Sequence, residues 1–258
     1  IPGEAELEAE LALWKPIAEY LEQRIANLKV EMKVCTDYTG VIQAMKYGHA
    51  DVAYFGPFSY VLATTQANVE AVVRAVRKKT GKDGYYSVII TQRYSPIQTL
   101  EDLRGKTFAF VEPTSTSGYL VPLTILKKNG IDPETSFKRV FFAGSHGGVI
   151  AAVKTGQVDA GATNDTRFTM AIESGYITEA ELVIIHRSEF IPGSPVAVRK
   201  DMDPELKKAF VKAMLQMPKE LALKTATKNL GWVKAKDEDY NFIREMAKIL
   251  NLNLAEHK

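Results

Sequence analysis

Hydrophobic positions recur at helical spacing near the start of the chain and later form short apolar runs. The first segment predicts an amphipathic helix, because its apolar residues fall on one face: Leu7, Leu11, Trp14, Ala18, Leu21 and Ile25. We expect Pro16 to kink or split this helix, since proline lacks the amide hydrogen that a helix interior uses. The runs that follow are rich in β-branched residues, which favours strands.

Predicted strands and helices then alternate through two blocks of the chain. The first block has predicted strands at 28–35, 51–55, 69–77 and 85–91, and predicted helices at 39–47 and 57–67. The second has strands at 107–111, 139–143, 158–163, 182–186 and 196–199, and helices at 100–104, 117–128, 149–154 and 166–174. From Pro204 onward we expect helices, with Trp232 between two of them. This alternation predicts an α/β fold with mostly parallel sheets.

An internal repeat joins the two blocks. The segment from Gly40 to Asp51 matches the segment from Gly148 to Asp159 in register, with Gly, Val-Ile, Ala, Lys, Gly and Asp recurring 108 residues later. Each copy combines a helix, a glycine suited to a left-handed helix end, and an aspartate before a strand. We interpret the repeat as two similar lobes. A common helix–turn–strand unit occurring twice by chance is the alternative.

The repeat singles out Tyr38 and His146, which stand at equivalent places before the two helices. Ligands of α/β sheets bind beyond the carboxyl ends of the strands, and helix N-termini there suit an anion. We therefore expect both rings to face one cleft between the lobes. For His146 the alternative is a histidine that caps its own helix or is satisfied by a neighbour.

A run of hydroxyl residues lies between them. Ser115, Thr116 and Ser117 follow a predicted strand and open a predicted helix. One hydroxyl can cap that helix, but a cap explains one residue and not three. Together with free helix amides, the three hydroxyls predict a cradle for a tetrahedral oxyanion. Capping alone remains the alternative.

Composition narrows the function classes without naming one. The chain has 258 residues, a net charge of +2 and dispersed basic residues, which disfavours a nucleic-acid face. Its single cysteine, Cys35, excludes an internal disulfide and a cysteine-based metal site. The histidines show no metal-ligand spacing, and we predict no cofactor. No apolar run is long enough to span a bilayer, and we interpret the sequence as a mature or trimmed chain.

Several motifs, taken together and in order, resemble one known family. They are Asp37-Tyr38-Thr39-Gly40, Asp51-Val52-Ala53-Tyr54-Phe55-Gly56-Pro57, Gly84-Tyr85-Tyr86-Ser87-Val88, Ser115-Thr116-Ser117-Gly118-Tyr119, Ala143-Gly144-Ser145-His146 and Ile191-Pro192-Gly193-Ser194-Pro195. They look like the phosphonate/phosphite-binding proteins of ABC importers. The resemblance covers nearly the whole chain. It implies a two-lobed type II periplasmic binding fold with mixed sheets flanked by helices and a ligand cleft between the lobes.

The resemblance also implies domain bounds and ligand contacts. Lobe 1 is expected at 1–88 plus 193–258 and lobe 2 at 89–192, with hinge strands near 85–92 and 189–198 and the C-terminal helices returning to lobe 1. The oxyanion of such proteins is held by residues that match these positions: Tyr38, Tyr85, Ser115, Thr116, Ser117 and His146. Hydroxyl, phenol and imidazole groups can all donate hydrogen bonds to phosphoryl oxygens.

The chain departs from those family members that take aminoalkylphosphonates. Their acidic residues for the ammonium group are replaced here by Ser194 and, near the Thr-Asn segment, by Arg167. We therefore expect phosphite or methylphosphonate in preference to an aminoalkylphosphonate. Asp165 is predicted to accept a proton from a singly protonated anion, with an N-cap role as the alternative.

These observations predict a non-enzymatic periplasmic binding protein that closes around its ligand and docks on an inner-membrane ABC permease. We expect a monomer in the periplasm, or a lipid-anchored form on the outer face of the cytoplasmic membrane. A hydrolase using Ser115 or Ser117 with His146 lacks an acidic orienter and a Gly-x-Ser-x-Gly elbow. A sensor domain that binds phosphonate, phosphate or arsenite and acts on a partner kinase is the other alternative.

Overall fold

The chain divides into two compact units. The computed structural model describes residues 4–35, 37–77, 81–224 and 229–255. The first unit comprises Ile1–Gly84 and Pro192–Phe242, and the second comprises Tyr85–Ile191 and Ile243–Lys258. Both combine helices with a β-sheet, so the α/β character predicted from the alternation is confirmed.

The first unit is built on a four-stranded sheet of order β1-β10-β2-β11, in which every neighbouring pair is antiparallel. Its strands are β1 (Val52–Tyr54), β2 (Val69–Arg77), β10 (Pro195–Arg199) and β11 (Asn229–Lys234). Its helices are α1 (Glu4–Arg24), α2 (Tyr38–Lys46), α3 (Pro57–Gln66), α8 (Pro204–Leu215) and α9 (Lys219–Ala222).

The core of the first unit lies between this sheet and helices α1 and α8. Ile17, Tyr20 and Leu21 of α1 are buried in one cluster with Phe210 and Met214 of α8. The helix α1 runs through Pro16 as one element, so the predicted split at this residue is wrong. The apolar face that follows the proline supplies packing energy, which offsets the backbone hydrogen bond that proline cannot make.

The second unit has a five-stranded mixed sheet of order β6-β5-β7-β4-β8. Its strands are β4 (Ser87–Gln92), β5 (Thr107–Phe110), β6 (Arg139–Phe142), β7 (Ala160–Asn164) and β8 (Leu182–Arg187). Strand β5 is parallel to β6 and β7, whereas β4 is antiparallel to β7 and β8. The helices of the sheet are α4 (Val121–Lys128), α5 (Pro133–Ser136), α6 (His146–Lys154) and α7 (Asp165–Glu173).

Two predicted features of the first unit are wrong. Residues 28–35 form no strand; exposed and half-buried positions alternate there, but no ladder pairs them. The chain from Pro204 onward is not helical throughout, because Trp232, which does lie between two helices, belongs to the strand β11. The sheets are also less parallel than predicted, because β10 and β11 come from chain that follows the second unit and pair antiparallel with β1 and β2.

The bounds of the units differ in detail from the predicted domains. Ser87 pairs with Asn164 in the second sheet, so the chain leaves the first unit at Gly84. It returns at Pro192, and the short strands β3 (Gly84–Tyr85) and β9 (Ile191–Pro192) lie at these two crossings. The last helix, α10 (Asn241–Ile249), falls mostly in the second unit. Its amphipathic pattern predicts one buried face but cannot specify which sheet that face meets.

Candidate functional site

The repeat seen in the sequence is reproduced in the backbone of the two units. The helix α2 is capped by Asp37, whose Oδ1 accepts from the N–H of Gly40 at 2.7 Å, and α6 is capped by Ser145, whose Oγ accepts from the N–H of Gly148 at 3.0 Å. The two caps share one conformation, with φ −151° and ψ 169° at Asp37 and φ −149° and ψ 161° at Ser145. Tyr38 and His146 are therefore equivalent first residues of their helices.

The equivalence continues through the ends of both helices. Gly48 and Gly156 each follow the helix with a φ of 70°, which a residue without a Cβ adopts readily. The N–H of Gly48 donates to the carbonyl of Met45 at 3.3 Å, and the N–H of Gly156 to that of Val153 at 3.1 Å. The agreement of caps, helix ends and following strands supports a true structural repeat.

Three helical segments begin at one edge of the second sheet. The parallel strands β5, β6 and β7 are followed by a π-helical turn (Thr116–Leu120), by α6 and by α7. Parallel strands that each lead into a helix bring the helix N-termini to the carboxyl edge of the sheet. The positive dipole ends of these segments lie at this edge, an arrangement that suits an anion.

The hydroxyl run is buried at this edge. Thr114, Ser115, Thr116 and Ser117 are each only 2–3% exposed. Ser115 caps the π-helical turn, and its Oγ accepts from the N–H of Gly118 at 3.2 Å. The capping alternative is thus correct for Ser115 and accounts for this one hydroxyl. Thr114 is buried with a hydroxyl that has no hydrogen-bond partner among the described residues.

Gly118 explains why the hydroxyl run lies so close to β5. A Cβ at this position would lie 2.2 Å from Cγ2 of Val111, closer than any real contact. The N–H of Val111 donates to the carbonyl of Gly118 at 3.0 Å, which holds the π-helical turn against the end of β5. A π-helical turn is uncommon and occurs frequently at functional sites.

Hydrogen bonds tie the hydroxyl run to His146 through the sheet. The Oγ of Ser87 on β4 donates to the carbonyl of Ser117 at 2.7 Å. Strand β4 pairs with β7, where Val88 stands opposite Thr163. The Oγ1 of Thr163 lies 3.1 Å from Nδ1 of His146. The second unit therefore brings Ser115, Thr116, Ser117 and His146 to one edge of its sheet.

The imidazole of His146 is neutral near neutral pH. Burial of the ring lowers its pKa to about 3, and the positive charge of Arg167 acts in the same direction, although the residue as a whole keeps some solvent exposure. When Thr163 donates to Nδ1, the ring proton stands on Nε2 and is available as a donor. The cap of α6 is Ser145, so the alternative in which His146 caps its own helix is wrong.

Asp165 has partners that its sequence context did not suggest. Its Oδ1 accepts from the N–H of Tyr86 at 3.1 Å, and its Oδ2 lies 3.1 Å from Nη1 of Arg187. The N-cap of α7 is Asn164, whose side chain accepts from the N–H of Arg167 at 2.7 Å, so the N-cap alternative for Asp165 is wrong. The N–H of Asp165 donates to the carbonyl of Tyr86 at 3.1 Å, so residues 86 and 165 are joined twice.

The two tyrosines belong to different units. Tyr85 is 6% exposed and precedes Tyr86, which Asp165 holds. Tyr38 is half-buried at the start of α2 in the first unit. Six of the seven predicted site residues thus lie in the second unit, and Tyr38 lies in the first.

Sequence reasoning missed the groups that support the site. Thr163, Ser87 and Asn164 carry hydrogen bonds to His146, to Ser117 and to the first turn of α7. A signal was present, since Thr163 and Asn164 are polar residues at the end of an apolar strand. No cluster of potential metal ligands occurs among the residues described. Within the same part of the chain, no helix is long and apolar enough to cross a membrane.

Comparison with known proteins identifies the family. Residues 5–240 match the model of the phosphonate periplasmic substrate-binding proteins of ABC transporters. The chain belongs to this family. The family resemblance inferred from the motifs is thereby confirmed.

Two curated relatives of the family are similar over most of this chain. The phosphonates-binding periplasmic protein of Escherichia coli K12 is 33% identical over 224 residues, which is 85% of this chain and 65% of that protein. The phosphate-import protein PhnD of Mycolicibacterium smegmatis is 32% identical over 215 residues, which is 80% of this chain and 66% of that protein. The chain therefore spans slightly less than two thirds of the length of these relatives.

A solved family structure confirms the predicted fold. The binding protein component of an ABC phosphonate transporter from Pseudomonas aeruginosa superposes with a TM-score of 0.86 at 27% identity. The match covers 97% of this chain and 83% of that chain. The predicted α/β fold of the periplasmic binding proteins is thus correct for almost the whole sequence.

Proposed function

We propose that this chain is the solute-binding component of an ABC importer and that it captures a small phosphorus oxyanion. The observation that carries this proposal is the edge of the second sheet. Three helical N-termini, a buried hydroxyl run and a neutral histidine meet there. Helix amides and neutral donors together stabilise an anion without a buried counter-charge.

The hydroxyl groups of this edge are suited to donate. The Oγ of Ser115 accepts from an amide, which leaves its own hydrogen for a ligand oxygen. The carbonyl of Ser117 accepts a hydrogen bond from Ser87, which fixes the backbone at this residue. The hydroxyl of Ser117 takes no part in that hydrogen bond and would donate to the ligand. The first amides of α6, at His146 and Gly147, have no intrahelical acceptor and supply further donors.

Tyr38 is proposed to supply the contact from the first unit. It stands in the repeat position of His146, at the N-terminus of α2. A ligand that bridges the two units would stabilise a closed form, and hinge closure of this type is well attested for binding proteins. In this account Tyr38 and Tyr85 reach the oxyanion that the second unit holds.

Asp165 is proposed to position Tyr85 and not to touch the ligand. Both of its carboxylate oxygens already have partners, the N–H of Tyr86 and the guanidinium of Arg187. This arrangement fixes the backbone next to Tyr85. The proton-acceptor role expected from the sequence would add a third partner to a carboxylate that already has two.

The proposed ligands are phosphite and methylphosphonate in preference to aminoalkylphosphonates. The chain has Ser194 and Arg167 at positions where the family resemblance implies carboxylates for an ammonium group. A positively charged Arg167 near the site disfavours a cationic substituent. A hydrogen or methyl group on phosphorus demands no charged partner.

The proposal includes a setting and a partner. The protein would act in the periplasm, or anchored at the outer face of the cytoplasmic membrane, as a monomer that delivers its ligand to an inner-membrane permease. It would bind and release the ligand without chemical change. Membership of the substrate-binding family supports these roles.

Calorimetric titration of the ligand-stripped protein tests the proposal. We expect tight binding of phosphite or methylphosphonate, weaker binding of phosphate, and the weakest binding of 2-aminoethylphosphonate. Strong 2-aminoethylphosphonate binding would keep the oxyanion site but overturn the ligand preference. If none of the four ligands bound, the proposed function would be overturned. Arsenite and the sensor alternative would then be tested next.

A further inference from the structure

Two arginines stand near the N-terminus of α7, and only one of them is neutralised. Arg187 pairs with Asp165 at 3.1 Å and lies over the ring of Tyr86, with its guanidinium carbon 5.2 Å from the ring centroid. Arg167 is exposed, and no carboxylate of the described residues lies within ion-pair distance of it. The site edge therefore carries one uncompensated positive charge.

The position of Arg167 is unfavourable for the helix itself. It lies in the first turn of α7, where the helix dipole already presents partial positive charge. The acidic residue of that turn, Asp165, is committed to Arg187 and to the N–H of Tyr86. Sequences that break a local rule without compensation frequently do so at a functional site.

The backbone of Arg167 is tied to the strand end that contacts His146. Its N–H donates to Asn164, and the preceding residue of the strand, Thr163, holds Nδ1 of His146. The charge of Arg167 is near enough to contribute to the low pKa of His146. Any substituent that projects from a bound phosphonate toward the first turn of α7 enters the field of this guanidinium.

We propose that Arg167 is a specificity-determining residue that favours phosphonates with a second anionic group, such as a carboxylate on a short alkyl arm. The inference rests on the proposed function and extends it from the oxyanion to the substituent. A guanidinium presents a rigid fork of donors that matches a carboxylate. It would rank substituents by charge, with carboxylate above a neutral group of the same size and ammonium last.

The expected preference is modest because Arg167 is solvent-exposed. An exposed ion pair contributes less to affinity than a buried pair. For the exposed guanidinium of Arg167 we expect a gain in affinity of about fivefold. This gain should decline as salt concentration rises, since exposed charges are screened. Because a fivefold change in affinity could also arise from steric fit, the test must separate the effect of charge from the effect of ligand shape.

A pair of isosteric ligands makes that separation. We would titrate the wild-type protein and R167Q with phosphonoacetate and with its neutral analogue phosphonoacetamide. The wild type should favour phosphonoacetate by about fivefold, and R167Q should lose that preference. R167K should retain part of it. Because the two ligands have nearly the same shape, their affinity ratio reports charge and not fit.

A matched control removes the same charge elsewhere in the unit. Lys138 is exposed and lies just before β6, at the amino edge of the same sheet, so K138Q should leave the ratio unchanged. An unchanged ratio in R167Q, or a wild type that does not favour phosphonoacetate, would overturn the inference. If methylphosphonate still bound tightly in that case, the proposed function would stand. If neither phosphite nor any phosphonate bound the wild type, the proposed function would fall and the inference with it.

Discussion

The two copies of the repeat share a backbone but differ in the side chains at their strand ends. In the first unit β1 leads through Phe55, Gly56 and Pro57 into α3. In the second unit β7 ends in Thr163 and Asn164, and α7 begins at Asp165. At equivalent positions the first unit therefore has no polar side chain, whereas the second unit has three.

This difference shows that one backbone arrangement can carry either apolar or polar side chains at the strand ends. Both units contain a helix whose N-cap side chain accepts a hydrogen bond from the third helical amide, at Gly40 and at Gly148. In the second unit, polar strand-end residues fix His146, cap α7 and hold Tyr86. In the first unit the buried ring of Phe55 packs 6.4 Å from that of Tyr60. The strand ends of the second unit are therefore held by side-chain hydrogen bonds, whereas that of the first unit is packed by aromatic rings.

The largest expected difference between the copies is in their response to acid. The pKa of His146 falls from about 6.5 unfolded to about 3 folded, so protons bind the unfolded state more tightly between these values. The stabilisation is complete above pH 6.5 and is lost as pH falls toward 3, at up to about 1.4 kcal/mol per pH unit.

Urea unfolding of the wild type and His146→Asn at pH 4, 5 and 6 measures this effect. The wild type should lose more free energy of unfolding than the variant as pH falls. Parallel pH dependence in the two proteins would show that the imidazole of His146 does not titrate in this manner.

Alanine at the two equivalent glycines should separate the copies next. A Cβ at Gly148 would lie 2.5 Å from the carbonyl oxygen of Ala143, whereas one at Gly40 would lie 3.2 Å from Cβ of Cys35. A backbone atom cannot yield easily, so G148A should cost about 2 kcal/mol of unfolding free energy. G40A should cost less than about 1 kcal/mol, because alanine is the better helix former. Equal losses in denaturant titrations would contradict the packing difference.

Thr163 should affect binding more than stability. T163V keeps the shape of the side chain but leaves Nδ1 of His146 without its hydroxyl partner. We expect about a tenfold loss of affinity for methylphosphonate, since a charge-assisted hydrogen bond from His146 would lose its orientation. T91V is the control, because it removes the hydrogen bond from Oγ1 of Thr91 to the carbonyl of Asp159 at the far end of β4. A similar affinity loss in both variants would indicate a general effect on the sheet.

The smallest expected change concerns Thr114. Its buried hydroxyl has no partner among the described residues, so T114V should leave the unfolding free energy unchanged or raise it by up to about 1 kcal/mol. Thermal and denaturant unfolding would measure this. A clear loss of stability would mean that the hydroxyl has a partner in solution, such as a buried water molecule.

The local parts of the site were predictable from the sequence, and the long-range parts were not. The repeat identified the equivalence of Tyr38 and His146, and the hydroxyl run indicated a helix start, which the structure shows to be buried. Caps and turns are encoded within a few residues, which is why these predictions hold. Family motifs extended the prediction to Tyr85 and to the fold.

Contacts between distant segments explain what was missed. The pairing of Asp165 with Arg187 and the contact of Thr163 with His146 depend on which strands become neighbours. The strand β11 pairs with β2 only because the chain returns to the first unit, and residues 28–35 have the pattern of a strand without a partner. Periodicity predicts an exposed and a covered face, but it does not name the neighbour.

The central claim, that the second unit holds the anion, is tested most directly by titrating His146→Ala and Thr116→Ala with methylphosphonate. Each substitution removes a donor to a charged ligand, so each should weaken binding by about 10- to 100-fold while the protein stays folded by circular dichroism. Wild-type affinity in both variants would contradict the claim and would place the oxyanion elsewhere.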